Sequence, residues 1–140
     1  MPDRLYLVSC VAKKRRYVTS AKNLYQSTFF KLARARVERE GAPWYILSAK
    51  HGLIHPDTEI GPYDQTLNRM AVAKRRHWAA RVLNQMDEML PDAAEVVLFA
   101  GQRYREFLVE YLGQRFDTVR VPMAGLRIGE QLRWLKNGRS

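Results

Sequence analysis

Short unbroken apolar runs alternate along this chain with stretches of helical spacing. Leu5–Ser9 (LYLVS) is the first run, and it predicts a central strand, because a strand buried on both faces reads as continuous rather than alternating. From Ser20 to Glu40 the pattern turns helical, with Tyr25, Phe29, Ala33 and Val37 four apart and charges elsewhere. Ser27 or Thr28 is the N-cap if that helix starts late, which leaves Ala21–Gln26 in the preceding loop. Gly41 and Pro43 stop it. Trp44–Leu47 predicts the second strand. Asn68–Leu90 predicts the longest helix, striped by Ala71, Trp78, Ala79, Val82, Leu83, Met86 and Leu90 and ended by Pro91. Glu95–Ala100 (EVVLFA) is a third buried strand, closed by Gly101. Gln102–Leu112 is helical again, Asp117–Val121 is a shorter fourth strand, Pro122–Gly125 a turn, and Ile128, Leu132 and Leu135 mark a last short helix.

Strand and helix alternating four times imply βαβ units. The expected fold is a single α/β domain over 1–140, a three-layer αβα arrangement with a mostly parallel four-stranded sheet. In such a sheet every strand-to-helix loop opens on one edge. Ser9–Arg16, Ser48–Thr66, Gly101–Tyr104 and Pro122–Arg127 are therefore expected to gather there.

Between the second strand and the longest helix, the stretch from Trp44 to Leu67 breaks the rhythm. Past Leu47 it carries two glycines, two prolines, two histidines, two aspartates and a glutamate in about twenty residues, a length at which loops are usually functional or disordered. Leu53, Ile54, Ile60, Tyr63 and Leu67 anchor it, so it reads as ordered, at the carboxyl edge where open α/β sheets place ligands.

Charge narrows the choice of ligand. The 140 residues carry a formal net charge of +10, with pI near 10.1, which points to a polyanionic partner, nucleic acid or a phosphate-bearing nucleotide. The bland alternative is a basic surface that serves solubility. No apolar run nears the roughly 18 residues of a membrane span, and the opening MPDRLYLVSC has no signal-peptide plan. One cysteine, Cys10, precludes an internal disulfide, and with these features a cytoplasmic location is expected. No P-loop or Rossmann fingerprint is present, and no cofactor is implied.

Several residues carry candidate chemistry. Asp64 follows Gly61-Pro62-Tyr63, a rigid turn that would fix a carboxylate beside an aromatic ring. A carboxylate can stabilise an oxocarbenium-like sugar or activate water, and Tyr63 could stack on a base. Alternatively, Asp64 caps a helix starting near Thr66 or Leu67. Asp57 and Glu59 read as solvated or turn-forming. His51 is a candidate acid or hydrogen-bond donor, or a loop histidine with a structural bond. Ser9 and Ser48 end apolar strands, where each either binds a phosphate or substrate hydroxyl, Ser48 with a catalytic part, or satisfies local backbone. Cys10 either contacts substrate, as a nucleophile only with His51 as the one plausible base, or is buried core, the safer reading. Lys13, Lys14, Arg15 and Arg16 form a basic run that could clamp phosphate, as could Lys50. Gly52 and Gly101 are expected at the binding edge, Gly101 opening a helix toward an anion. Tyr25 and Tyr104 could stack on a base, although their periodicity places them in the core. His51 and His55 have metal-binding spacing, but Gly52 and Pro56 oppose the helix that spacing needs, and no metal site is expected.

The segment SAKHGLIHPDTEIGPYD resembles the pattern S-x-x-(Y/H)-G-L-(L/I)-x-P-x-x-x-I-x-P-Y of the YaaA-like peroxide-stress proteins. The opening LVSC-x-x-KK, followed by LY-x-S and ending in Pro122-x-x-Gly125 with a closing helix, is similar to an uncharacterised family of small bacterial and phage proteins, a domain of unknown function, over almost the whole chain. A related pattern, C-S-x-(R/K)-K-P, looks like one in a domain of archaeal tRNA-base modifying enzymes; the proline after Lys13-Lys14 is absent here. These resemblances imply an αβα fold similar to uracil-DNA glycosylases, tied to DNA binding or nucleobase chemistry. Hydrolysis or exchange at an N-glycosidic bond is the specific expectation. A non-enzymatic DNA-binding module and a small-nucleotide hydrolase are its alternatives.

Overall fold

The first apolar run is the middle of the sheet. In the computed structural model, which describes residues 3–10 and 14–137, β1 (Arg4–Ser9) pairs in parallel with β3 (Trp44–Ser48) on one side and with β6 (Glu95–Phe99) on the other. Leu5, Leu7 and Val8 are fully buried, as a strand flanked and covered on both faces must be. β7 (Thr118–Arg120) adds in parallel to β6, and β4 (Gly52–Ile54) adds antiparallel to β3. The five-stranded order is β4-β3-β1-β6-β7. The four strands expected from sequence are all present, and β4 is a fifth within the segment expected to be loop.

The layers follow from this order. The step from β1 to β3 goes one way, and the step from β3 to β6 returns across β1. Right-handed connections put the helices of two opposite steps on opposite faces. Accordingly α2 (Thr28–Glu40) covers one face. On the other face lie α3 (Val72–Met89) and the helices after β6, α4 (Gln102–Arg105) and α5 (Val109–Arg115). Arg115 ties α5 to α3, donating to the carbonyls of Met86 at 2.9 Å and Leu90 at 2.7 Å. The closing helix α6 (Ile128–Lys136) returns beside α2, with Trp134 edge-on to Phe99 at 5.8 Å and beneath the Arg36 guanidinium at 4.1 Å. The result is three layers.

Two predicted helices are shorter than their periodicity. The first begins at Thr28 with Ser27 as N-cap, accepting from the Phe30 amide at 3.2 Å. The preceding residues form β2 (Thr19–Ser20) and one turn, α1 (Ala21–Leu24). The Gln102–Leu112 pattern divides into α4 and α5, because a tightened turn, with the Leu108 amide donating to Arg105, interrupts the helix while keeping Tyr104 and Leu108 on the buried side.

The excursion after β1 is held against the long segment. β2 pairs antiparallel with β5 (Glu59–Ile60), Lys14 bridges to Tyr25, and the Ala21 and Lys22 amides donate to Thr58 and Pro56. Lys22 also meets Asp57 at 2.6 Å. These contacts fold residues 14–25 and 52–66 over the carboxyl edge of the sheet.

Gly52 makes the turn into β4 at φ +75°, with Gln85 of α3 clamped against it: a Cβ there would lie 2.1 Å from Gln85 Oε1. That oxygen accepts from the Leu53 amide at 2.8 Å, and Gln85 Nε2 donates to the His51 carbonyl at 3.1 Å. Gly41, at φ +69°, has open space where its Cβ would be. Gly52→Ala is therefore expected to lose more stability than Gly41→Ala: each incurs left-handed strain of about 1 kcal/mol or more, but only Gly52→Ala also displaces Gln85. Thermal denaturation of the two variants checks the order.

Candidate active-site cleft

The loop after β5 crosses the sheet edge toward α4. Thr66 Oγ1 and the Leu67 amide each lie 3.3 Å from the Tyr104 hydroxyl. Thr66 is also the N-cap of a single 3₁₀ turn, Leu67–Arg69, accepting from the Asn68 amide. The cap expected of Asp64 thus belongs to Thr66. Asp64 is exposed, and no hydrogen bond or ion pair holds its carboxylate among the described residues.

Asp64 lies in a cleft of about 800 Å³ walled by Lys14, Arg15, Arg16 and Arg69, with Tyr63, Gln65 and Asn68 among the other lining groups. Among the described lining residues, four cations share the cleft with one carboxylate. Next to the basic run, Tyr17 and Val18 are 57% and 63% exposed, and Arg15, one of the lining cations, sits 5.9 Å from the Tyr17 ring centre.

Beneath the cleft, Tyr63 is turned inward. Its hydroxyl shares hydrogen bonds with Tyr25 at 2.7 Å and Ser48 at 2.8 Å, and lies 3.9 Å from Cys10 Sγ. Ser48, fully buried, accepts from the His51 amide, and its carbonyl accepts from Trp78 Nε1 at 2.9 Å. The Cys10 thiol donates to the Leu47 carbonyl at 3.4 Å. Burial, opposed by hydrogen bonds to Tyr25 and Tyr63, pushes that thiol up to about 12. Burial likewise raises both phenols, so all three groups stay protonated and neutral.

These contacts settle where each candidate stands. Lys14, Tyr63 and Asp64 come together in the cleft. Tyr63 is not free to stack on a base, because the Lys14 ammonium rests over its ring, 4.4 Å from the centre. Ser9, Cys10 and Ser48 are buried behind that surface, and Cys10 lacks the thiolate a nucleophile needs. His51 packs edge-on against Tyr63 at 5.6 Å; its Nε2 is enclosed and without a hydrogen-bond partner among the described residues, so that nitrogen does not face the cleft. Lys50 is exposed and its carbonyl accepts from Arg81. Gly52 serves the turn described above. Gly101 lines a separate cavity of about 270 Å³ with Gln102, Gln131 and Met123. Lys13 lies outside the described residues. Tyr25 and Tyr104 are buried, as their spacing implies.

His55 turns to Tyr45 and Asp57, away from the His51 contacts. Among the described residues no three of His, Cys, Asp and Glu gather as a metal ion would require. No helix among them is long and apolar enough to cross a membrane. Arg69, Gln65 and Tyr17 were not marked by the sequence. Arg69 fell inside a predicted helix, and Tyr17 carried only its adjacency to the basic run as a signal.

The model of a family of unknown function, DUF6884, matches residues 5–137. The chain belongs to that family. No curated protein matches it. Membership of DUF6884 accounts for the resemblance that spans almost the whole chain; it does not extend to the YaaA-like or uracil-DNA-glycosylase-like likeness.

Two outcomes are expected at the cleft floor. Tyr63→Phe removes the buried hydrogen bonds to the Tyr25 and Ser48 hydroxyls, Ser48 keeping its bond from the His51 amide, and stability should fall by about 1–3 kcal/mol, read by urea denaturation. His51 is held below its ordinary 6.5 by burial first, then by Lys50 and Arg81. The unfolded chain then binds the extra proton more readily than the folded one, so this contribution to stability is intact above 6.5 and declines as pH falls from there to the lower folded value. His51→Gln should flatten that part of the stability profile between pH 7 and 5, measured by melting temperature against pH.

Proposed function

We propose that the cleft takes a phosphate-bearing nucleic acid or nucleotide, and that Asp64 acts at its N-glycosidic bond. The observation that supports this reading is the setting of Asp64: one carboxylate, not spent as a helix cap, in a cleft walled by Lys14, Arg15, Arg16 and Arg69. The cations suit the phosphates on either side of a sugar. A carboxylate between them would stabilise the positive charge that grows on the sugar as the base departs, or would activate the incoming water. Tyr17, exposed beside the cleft cation Arg15, is the ring offered for base stacking in place of Tyr63.

A non-enzymatic DNA-binding module is the second reading. It draws on the exposure of Asp64 and the lack of any hydrogen bond orienting its carboxylate among the described residues; the basic walls alone would then grip backbone.

Binding to single-stranded DNA, duplex DNA and RNA over a salt series, with detection of abasic product, separates these readings. Engagement of the four cleft cations predicts a log–log salt slope of about −3. Asp64→Asn should leave binding within about threefold while lowering base release by about 10²–10⁴-fold, the range for a positioned catalytic carboxylate. Salt-dependent binding without product leaves the binding module. Absence of binding to any polynucleotide removes both and leaves a small-nucleotide hydrolase.

A further inference from the structure

We propose that Lys14 is an amine nucleophile that captures the ring-opened aldehyde of an abasic sugar and cleaves the strand beside it. The inference rests on the reading that the cleft takes nucleic acid, and adds to base release a second reaction, elimination at the abasic site.

Three observations support it. First, among the described residues that line it, the cleft holds several cations but one amine. Arg15, Arg16 and Arg69 carry guanidinium groups that do not deprotonate in proteins and cannot attack a carbonyl. Second, Lys14 is placed, not merely present. Its backbone is pinned by the bridge to Tyr25, and the next amide, Arg15, donates to the Leu24 carbonyl at 2.8 Å. Its side chain is half-buried across the Tyr63 ring, 5.9 Å from the Tyr25 ring centre, on the wall that also bears Asp64. The rings fix where the amine stands; its partial removal from water favours the neutral form a nucleophile needs, against the attraction of the ring faces for the ammonium. Third, the net influence on the group runs that way: burial, its largest cause, lowers Lys14 below the ordinary lysine value, against an opposing pull from Asp64, while Cys10 would add to that pull only as the thiolate it does not form near neutral pH.

The chemistry balances without an oxidant or a cofactor. The Lys14 Nζ lone pair attacks C1′ of the aldehyde, and the resulting carbinolamine loses water to give a protonated imine. The imine acidifies the C2′ proton, which the Asp64 carboxylate accepts. The electron pair forms C2′=C3′ as the C3′–O bond breaks and the 3′ phosphate leaves with its strand. Water then hydrolyses the imine, returning the amine and an unsaturated aldehyde.

The test uses the full chain and an oligonucleotide carrying a preformed abasic site, so that base release is bypassed, with the intact oligonucleotide as control. Borohydride reduces an imine to a stable secondary amine. Wild-type protein should become covalently attached to the abasic strand alone, with the attachment mapping to Lys14 by peptide mass. Lys14→Arg keeps the phosphate-binding charge and cannot form the imine. It should lower trapping by about 100-fold or more, while binding to the abasic strand stays within about threefold and the melting temperature is unchanged. Binding without trapping, equal trapping by Lys14→Arg, or attachment at another residue overturns the assignment and leaves the cleft reading standing. No binding to the abasic strand overturns both.

Discussion

The Tyr63 hydroxyl is the point on which the carboxyl edge of this molecule depends. It is buried against Tyr25, Ser48 and Cys10, which come from the excursion after β1, the end of β3 and the end of β1. An unpaired hydroxyl in that position would carry a substantial desolvation penalty, so the loop carrying Tyr63 settles where all three partners can be met. Because every partner stays neutral, the floor carries little charge of its own. The positive field above it comes from the walls, undiluted by charged groups among the described residues beneath, and Lys14 lies on the ring.

The rest of the site is arranged around that floor. Gln85 reaches from α3 to hold the turn at Gly52, and Thr66 meets Tyr104 at the start of the second half of the sheet. Long-range polar contacts thus fasten the loop at both ends, and Asp64 projects from the middle of a restrained span. Rigid support under an exposed carboxylate is what positioned chemistry requires.

The strands were legible in the sequence because the pattern and the burial agree. LYLVS, WYIL and EVVLFA are unbroken apolar runs, and each forms a central parallel strand with both faces covered. β4 and β5 were not legible: with three and two residues they are too short to show a period, and Gly52 reads as a loop residue until Gln85 is known to pack against it. The site was half legible. Asp64 and Lys14 could be picked as polar groups at the right edge, but the inward turn of Tyr63 depends on partners 15, 38 and 53 residues away in sequence. No local pattern encodes such contacts, and so an aromatic beside a carboxylate looked like a stacking ring when it is a floor.

The sheet also ends on both sides in a three-residue strand, β4 antiparallel at one margin and β7 at the other. A margin that short offers an incoming strand only a few backbone groups to pair with, and the β4 side is partly used, since the Leu53 amide already donates to Gln85. Long open margins are where sheets recruit further strands and grow into aggregates. With +10 net charge adding mutual repulsion between copies, the chain combines a largely parallel sheet, a topology exposed to aggregation while it assembles, with margins that give self-association little to build on.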